Sequence, residues 1–405
     1  VSTLTPSIAA GFPVLAGNPG LAYLDSAATS QTPRPVLDAM DDYYETARAS
    51  VHRGVYPLAV ESTDRFEGAR ERIAAFCGAE ARGTVFTRNA TEAINLVAYA
   101  WGSVNVGAGD VIVLTEMEHH SNIVPWQLLA QRTGATVSYV PVDDDGHLVL
   151  DELDALLRGG AVKLVGVVHV SNVLGTINPV AEIVERAHGA GAAALVDGTQ
   201  AVPQLPVDVG AIGADFYAWT GHKAYGPTGV GVLHAPFDTL AAMPPFIGGG
   251  HMISRVGNDC STFADPPARF EAGTANIAEV IGLGAAVGFL DGLGMEAVRA
   301  HERDVTAYAL ERLAELDGLT VHGPRDADER GAVISFVVDG VHPHDVGEIL
   351  GAQGVCVRAG HHCAQILMRR LGAPATTRAS FAVHSTRDEV DALVAGLRRV
   401  QEVFA

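Results

Sequence analysis

From residue 194 the chain reads Ala194-Leu195-Val196-Asp197-Gly198-Thr199-Gln200, three apolar residues that run directly into an aspartate, a glycine and two polar side chains. A run this short, apolar at consecutive rather than alternate positions, has the look of a strand buried on both faces. Similar runs stand before it at Val111-Ile112-Val113-Leu114, Val137-Ser138-Tyr139-Val140 and Leu164-Val165-Gly166-Val167-Val168, and Phe216-Tyr217-Ala218-Trp219 follows it. Helical patterns such as Pro179 to Ala190 lie between them. From about residue 65 to 235 the chain therefore alternates helix and strand, which is the pattern of an α/β domain on a mostly parallel sheet.

Beyond this region a long helical pattern begins near Ile281, followed by a strand at Val333 to Val338 and a helix at His344 to Ala352. That reads as a smaller α+β domain. With 405 residues the chain is long for one core. We expect a large domain over residues 21–285 and a small domain over 286–405, with residues 1–20, which carry no clear core of their own, packed on the small one.

Composition narrows the function classes. Hydrophobic residues make up 48% and charged residues 18%, a compact globular balance rather than a disordered one. The net charge of −20 repels a phosphate backbone, so nucleic acid is not an expected partner. No apolar run has the length of a membrane span, and Val1 to Ala10 lacks the basic start and long apolar core of a signal peptide, which makes the cytoplasm the expected location. Cys77, Cys260, Cys356 and Cys363 form no C-x-x-C pair, so neither a disulfide framework nor a metal site is expected.

In open α/β sheets ligands sit beyond the carboxyl ends of the strands, and here those ends are chemically loaded. Thr115-Glu116-Met117-Glu118-His119-His120-Ser121-Asn122 follows the first strand, His169-Val170-Ser171-Asn172 the third and Asp197 the fourth. The fifth leads into Thr220-Gly221-His222-Lys223-Ala224-Tyr225-Gly226, a lysine among small, hydroxyl and imidazole residues. Such a lysine suits Schiff-base chemistry, and the set matches the needs of pyridoxal phosphate. Lys223 would hold the aldehyde and Asp197 would keep the pyridine nitrogen protonated. Thr91 at the start of a helix, with Thr220 and His222, would bind phosphate. Of the pair His119-His120, a stacking platform for the ring is the favoured use.

Near the C-terminus, Arg358-Ala359-Gly360-His361-His362-Cys363-Ala364-Gln365 places a thiol among imidazoles and an arginine, a setting that favours the nucleophilic thiolate. Cys77, in the apolar run Ile73-Ala74-Ala75-Phe76-Cys77, reads instead as a core residue. Arg378, in Thr376-Thr377-Arg378-Ala379-Ser380-Phe381, suits bidentate capture of a carboxylate.

These stretches, with Tyr23-Leu24-Asp25-Ser26-Ala27-Ala28-Thr29, Val51-His52-Arg53-Gly54 and Arg269-Phe270-Glu271-Ala272-Gly273-Thr274, resemble in order and spacing the group II (SufS-type) cysteine desulfurases. These lie in the class V branch of fold-type I pyridoxal-phosphate enzymes. The resemblance covers nearly the whole chain and implies a large mostly parallel α/β/α domain with a smaller α+β C-terminal domain. It also implies that His120 stacks on the cofactor, Gln200 bonds its phenolic oxygen, Asn172 and Arg378 hold the substrate carboxylate, and Thr274 reaches the phosphate of a neighbouring subunit in a homodimer. The implied reaction turns L-cysteine, or L-selenocysteine, into L-alanine. Lys223 moves the α-proton, and Cys363 takes the sulfur as a persulfide for a small sulfur-acceptor protein and iron–sulfur cluster assembly.

Several positions depart from the family pattern: Tyr56, Ala90, Ala275, Ile366 and Val383-His384-Ser385. None removes a catalytic group. Two other readings remain open, a related C–S or C–Se lyase on the same fold and a non-catalytic binding protein on a decayed enzyme fold. A lyase that only eliminates sulfide needs no nucleophilic thiol, and decay would not be expected to spare Lys223, Asp197 and Cys363 together.

Overall fold

The computed structural model describes Leu4 and residues 6–404. Seven strands make the central sheet: β1 (Thr84–Thr87), β2 (Val111–Thr115), β3 (Thr136–Val140), β4 (Val162–Val168), β5 (Ala193–Asp197), β6 (Phe216–Thr220) and β7 (Gly231–His234). Their spatial order is β1-β7-β6-β5-β4-β2-β3. β7 runs antiparallel to both its neighbours and every other pairing is parallel. All five residues of β6 are buried, as are four of the five in β5, which is why the sequence shows no polar alternation there. Each expected strand of this region is present, extended by one or two residues.

Helices cover both faces of the sheet. Val180–Gly189 buries Val180, Ile183, Val184 and Ala187, an i, i+3, i+4, i+7 stripe, and occupies the stretch where Pro179 to Ala190 read as helical. The helix opened by Ala90 is less regular: Ala90–Leu96 is α-helical, Val97–Trp101 is a π-turn, and Gly102–Asn105 returns to α.

A second sheet contains β8 (Leu319–His322), β9 (Val333–Val338), β10 (Arg358–Gly360) and β11 (Thr376–Ser380), in the order β8-β9-β11-β10 and antiparallel throughout. Helices Met295–Leu313, Pro343–Gly351 and Arg387–Phe404 belong to the same part of the chain. Thr386 and Glu389 start the last of these as a reciprocal cap, each backbone N–H donating to the other's side chain. The helix expected near Ile281 begins at Ile277, runs to Leu293 and so crosses residue 285. Phe12 does not sit on the small sheet. It is fully buried where the two parts meet, its ring 5.2 Å from His384, 5.8 Å from Phe289 and 6.0 Å from Tyr225 between ring centres. No single helix among the described residues is long and apolar enough to cross a membrane.

Candidate active site

β2, β4, β5 and β6 end on one edge of the central sheet, and the residues that follow them line a cleft of about 260 Å³. Asp197 closes β5 and is 3% exposed; its carboxylate accepts the Thr199 N–H at 3.0 Å. Lys223 stands in the tight turn Gly221–Lys223 that leaves β6 and lines the same cleft. Burial lowers its pKa to about 8 and the nearby Arg378 cation works in the same direction, against the pull of Asp197. An uncharged amine is thus available near neutral pH.

One end of the cleft is built for an anion. Asn89 caps the helix Ala90–Leu96 by accepting the Glu92 N–H at 2.9 Å, so the free start of that helix, with Thr91, faces the cleft. Thr220 and His222 line it too. Thr220 Oγ1 is buried without a partner among the described residues, and burial pulls His222 down to about 4, leaving a neutral imidazole 3.2 Å from Thr29 Oγ1. Gln200 donates from Nε2 to the Ala27 carbonyl at 2.8 Å.

At the opposite side the small sheet contributes two arginines. Arg358 on β10 and Arg378 on β11 are direct cross-strand partners, and both line the cleft. Like charges facing one another across a ladder are unfavourable unless an anion is placed between or beside them. Arg378 is 2% exposed; it donates to the Asn172 carbonyl at 2.9 Å and to Asp25 Oδ1 at 3.1 Å, while its Nε has no partner among the described residues. Asn172 is also buried, with its Oδ1 unpartnered among the described residues.

Cys363 lies between β10 and the helix Gln365–Arg370, part-exposed on the cleft. Both His362 (φ 51°) and Cys363 (φ 57°) take the left-handed conformation, which costs a non-glycine residue roughly 1–2 kcal/mol. Three bonds hold them there. The His120 N–H donates to the Cys363 carbonyl at 2.8 Å, Asn172 Nδ2 donates to the His362 carbonyl at 2.7 Å, and His362 Nε2 meets Thr376 Oγ1 at 2.9 Å.

The histidine pair corrects the sequence reading. His119, not His120, lines the cleft. His119 caps the short turn His120–Asn122, accepting the Ser121 N–H on Nδ1 at 3.1 Å, and burial drives its pKa to about 3. His120 turns to the other side, where its Nε2 accepts the Gln365 N–H at 3.1 Å and supports the cysteine loop. Adjacent residues at a turn point in different directions, and the sequence alone does not say which one faces inward. Thr274 likewise lies away from the cleft, in a separate cavity beside His52 and Arg53. The other expected residues, Thr91, Asn172, Asp197, Gln200, Thr220, His222, Lys223, Cys363 and Arg378, converge on the cleft.

Sequence reading also passed over Glu118. Wholly buried, it accepts from Thr115 Oγ1 at 2.6 Å, Asn122 Nδ2 at 2.7 Å and the Val168 N–H at 2.8 Å, which ties the histidine turn to β2 and β4. Burial pushes its pKa up to about 8. A second glutamate three residues beyond the end of an apolar strand was the available signal. Arg358 was read from the sequence only as a neighbour of the thiol, since its pairing with Arg378 is a matter of strand register. Among the described residues no group of three or more His, Cys, Asp or Glu side chains is arranged to hold a metal ion.

The family model described as aminotransferase class-V matches residues 22–393. The chain belongs to the class-V aminotransferase family. Among class-V relatives, a probable cysteine desulfurase of Halobacterium salinarum is 50% identical over 98% of this chain and 97% of its own length. A cysteine desulfurase of Enterobacter sp. is 49% identical, with 98% of each covered. Two solved structures superpose closely. The apo cysteine desulfurase of Thermococcus onnurineus has a TM-score of 0.94 at 38% identity, covering 99% of this chain and 98% of that one. The cysteine desulfurase CsdA of Escherichia coli, in an S-sulfonic acid form, has a TM-score of 0.92 at 37% identity, with 99% of each covered. Class-V cysteine desulfurases depend on pyridoxal 5'-phosphate, and the cleft fits that group. It offers a half-buried amine for the aldehyde, a buried carboxylate, and the hydroxyls of Thr199 and Thr220, which have no partner among the described residues, beside a helix start.

Proposed function

We propose that this chain is a pyridoxal-phosphate-dependent cysteine desulfurase of the group II type, which converts L-cysteine to L-alanine and retains the sulfur as a persulfide on Cys363. One observation carries the reading: a half-buried lysine, a part-exposed thiol and a facing pair of arginines open on a single cleft.

In this reading Lys223 holds the cofactor, Asp197 pairs with its pyridine nitrogen, and Gln200 bonds its phenolic oxygen. Thr91, Thr220 and His222 receive the phosphate. His119 takes the stacking position in place of His120. When bound, the cofactor supplies an electron sink for the electron pair left at the substrate Cα. Arg378 and Arg358 hold the substrate carboxylate, with Asn172 beside it. Lys223 Nζ, uncharged above about pH 8, takes the Cα proton and returns one to the product. The thiolate of Cys363 attacks the substrate sulfur: the new S–S bond forms as the C–S bond breaks, and the C–S electron pair stays with the carbon fragment that becomes alanine. The persulfide then passes to a thiol of a small sulfur-acceptor protein, in support of iron–sulfur cluster assembly.

The short, hydrogen-bonded loop between Gly360 and Gln365 supports the group II assignment, because it keeps the thiol at the cleft and obliges the acceptor to approach. The position of Thr274 outside its own cleft supports a homodimer in which it serves the partner. Four free cysteines, the nucleophilic Cys363 among them, suit the reducing cytoplasm.

The test is incubation with L-cysteine, with alanine and sulfide quantified and the Cys363 peptide examined for the added mass of one sulfur atom. Equal alanine and sulfur release with that adduct is expected, and Cys363→Ala should abolish both the adduct and alanine formation. Full sulfide release by Cys363→Ala would instead establish a lyase.

A further inference from the structure

Arg330 is a buried cation with no anion. It is wholly inaccessible to solvent, and no carboxylate pairs with it among the described residues. Its guanidinium donates only to backbone carbonyls: Nη1 to Pro324 at 2.5 Å, Nη2 to Leu174 at 2.6 Å and to His322 at 3.1 Å. Burying a charge in this way is costly, and a fixed planar fork that satisfies several carbonyls at once is what a guanidinium offers and an ammonium does not.

Leu174 identifies what is being held. The turn between β4 and the helix Val180–Gly189 is closed internally by Ser171, whose N–H donates to the Thr176 carbonyl at 2.9 Å and whose carbonyl accepts the Gly175 N–H at 3.0 Å. Gly175 sits at φ 77° with no room for a side chain, since a Cβ would lie 2.7 Å from the Val333 carbonyl. The turn's next four carbonyls all point outward, and the small sheet and the chain leading into it supply a donor for each. Asn172 receives Arg378 Nη1 at 2.9 Å, Val173 receives Ser335 Oγ at 2.7 Å, Leu174 receives Arg330, and Gly175 receives the Gly331 N–H at 2.8 Å. Asn172, on this turn, donates from Nδ2 to the His362 carbonyl, one residue before Cys363.

We infer that Arg330 is a positioning residue for sulfur transfer: by fixing the Leu174 carbonyl it sets the turn that carries Asn172, and through the Asn172–His362 bond it sets the left-handed cysteine loop. The inference rests on the proposed desulfurase reading for its catalytic consequence, but the mechanical coupling can be read without catalysis. Arg330 does not line the cleft, and its direct contact with the turn is at the Leu174 carbonyl.

The experiment compares wild type, Arg330→Lys and Arg330→Ala as full chains loaded with pyridoxal phosphate. Iodoacetamide alkylation is followed peptide by peptide, with the exposed Cys260 as internal reference. The Cys363-to-Cys260 rate ratio should change by at least about threefold in Arg330→Ala, and methylguanidinium in the buffer should return it toward wild type, because the ion refills the vacated fork. In turnover the same variant should raise KM for L-cysteine by about tenfold or more with a smaller change in kcat, consistent with loss of a charged hydrogen-bond partner to the Asn172 turn. Arg330→Lys, which keeps the charge without the fork, should fall between the two and remains informative if the alanine variant does not fold. An unchanged alkylation ratio in either variant, or a changed one that methylguanidinium leaves unaltered, overturns the inference. A wild-type protein that makes no alanine overturns the desulfurase reading while leaving the alkylation result to stand by itself.

Discussion

Lys223 shows how much of the chemistry is set at the scale of one residue. Its amine is brought down to about 8 by burial first and by Arg378 second, so the free base is a minor species at pH 7 and the major one above pH 8. Alanine formation at saturating L-cysteine should therefore climb as pH rises through about 8 and level off above it, when kcat is measured across that range. A flat profile would remove Lys223 as the titrating base. Lys223 and Asp197 were legible in the sequence because strand ends are where an α/β sheet places its ligands. The choice between His119 and His120 was not, because it depends on a three-residue turn whose direction is set by Glu118, Asn122 and the Ser121 N–H.

Among elements, the strand-to-helix junction at the anion end of the cleft has little tolerance. β7 passes under the helix start so closely that a Cβ on Gly231 would lie 2.4 Å from the Asn89 carbonyl carbon and 2.5 Å from its Cα. Backbone cannot yield as a flexible side chain can. Gly231→Ala should cost about 1–3 kcal/mol of stability, as overpacking does, and should weaken pyridoxal phosphate retention by displacing Thr91. Thermal melting and cofactor titration measure the two effects, with Gly189→Ala, where nothing lies within 4 Å, as the control. A wild-type melting temperature for Gly231→Ala would show that the junction gives way more easily than its geometry implies. The helix itself was expected from Ala90-Thr91-Glu92-Ala93, but its π-turn at Val97–Trp101 was not, since an extra residue in a helical turn leaves no mark in hydrophobic periodicity.

For the whole molecule, burial of imidazoles dominates the response to acid. His119, His234 and His362 are held down to about 3, and His169, His222 and His384 to about 4, against an ordinary value of 6.5, chiefly by desolvation. Unfolding frees them to bind protons, so their contribution to stability is complete above pH 6.5 and is lost as pH falls below it. Glu118 and Glu389, raised by burial to about 8 and about 7, act the other way, because the folded state keeps their protons longer. Ten imidazoles are lowered in all, with His120, His251, His301 and His322 added, against five raised carboxyls, with Asp25, Asp197 and Glu302 added, so the melting temperature should drop between pH 6.5 and pH 5, and calorimetry across that interval would expose a rise as an error. By itself the sequence determined the α/β class, the parallel strands and the lysine, aspartate and cysteine of the site, because hydrophobic period and strand-end chemistry are local properties. Only the tertiary structure decided that Arg358 faces Arg378, that His119 and not His120 enters the cleft, and that Arg330 holds the Asn172 turn. Each of these is a contact between segments far apart in sequence or a direction fixed by such a contact, and strand register, turn direction and burial exist only once the two sheets have closed on one another.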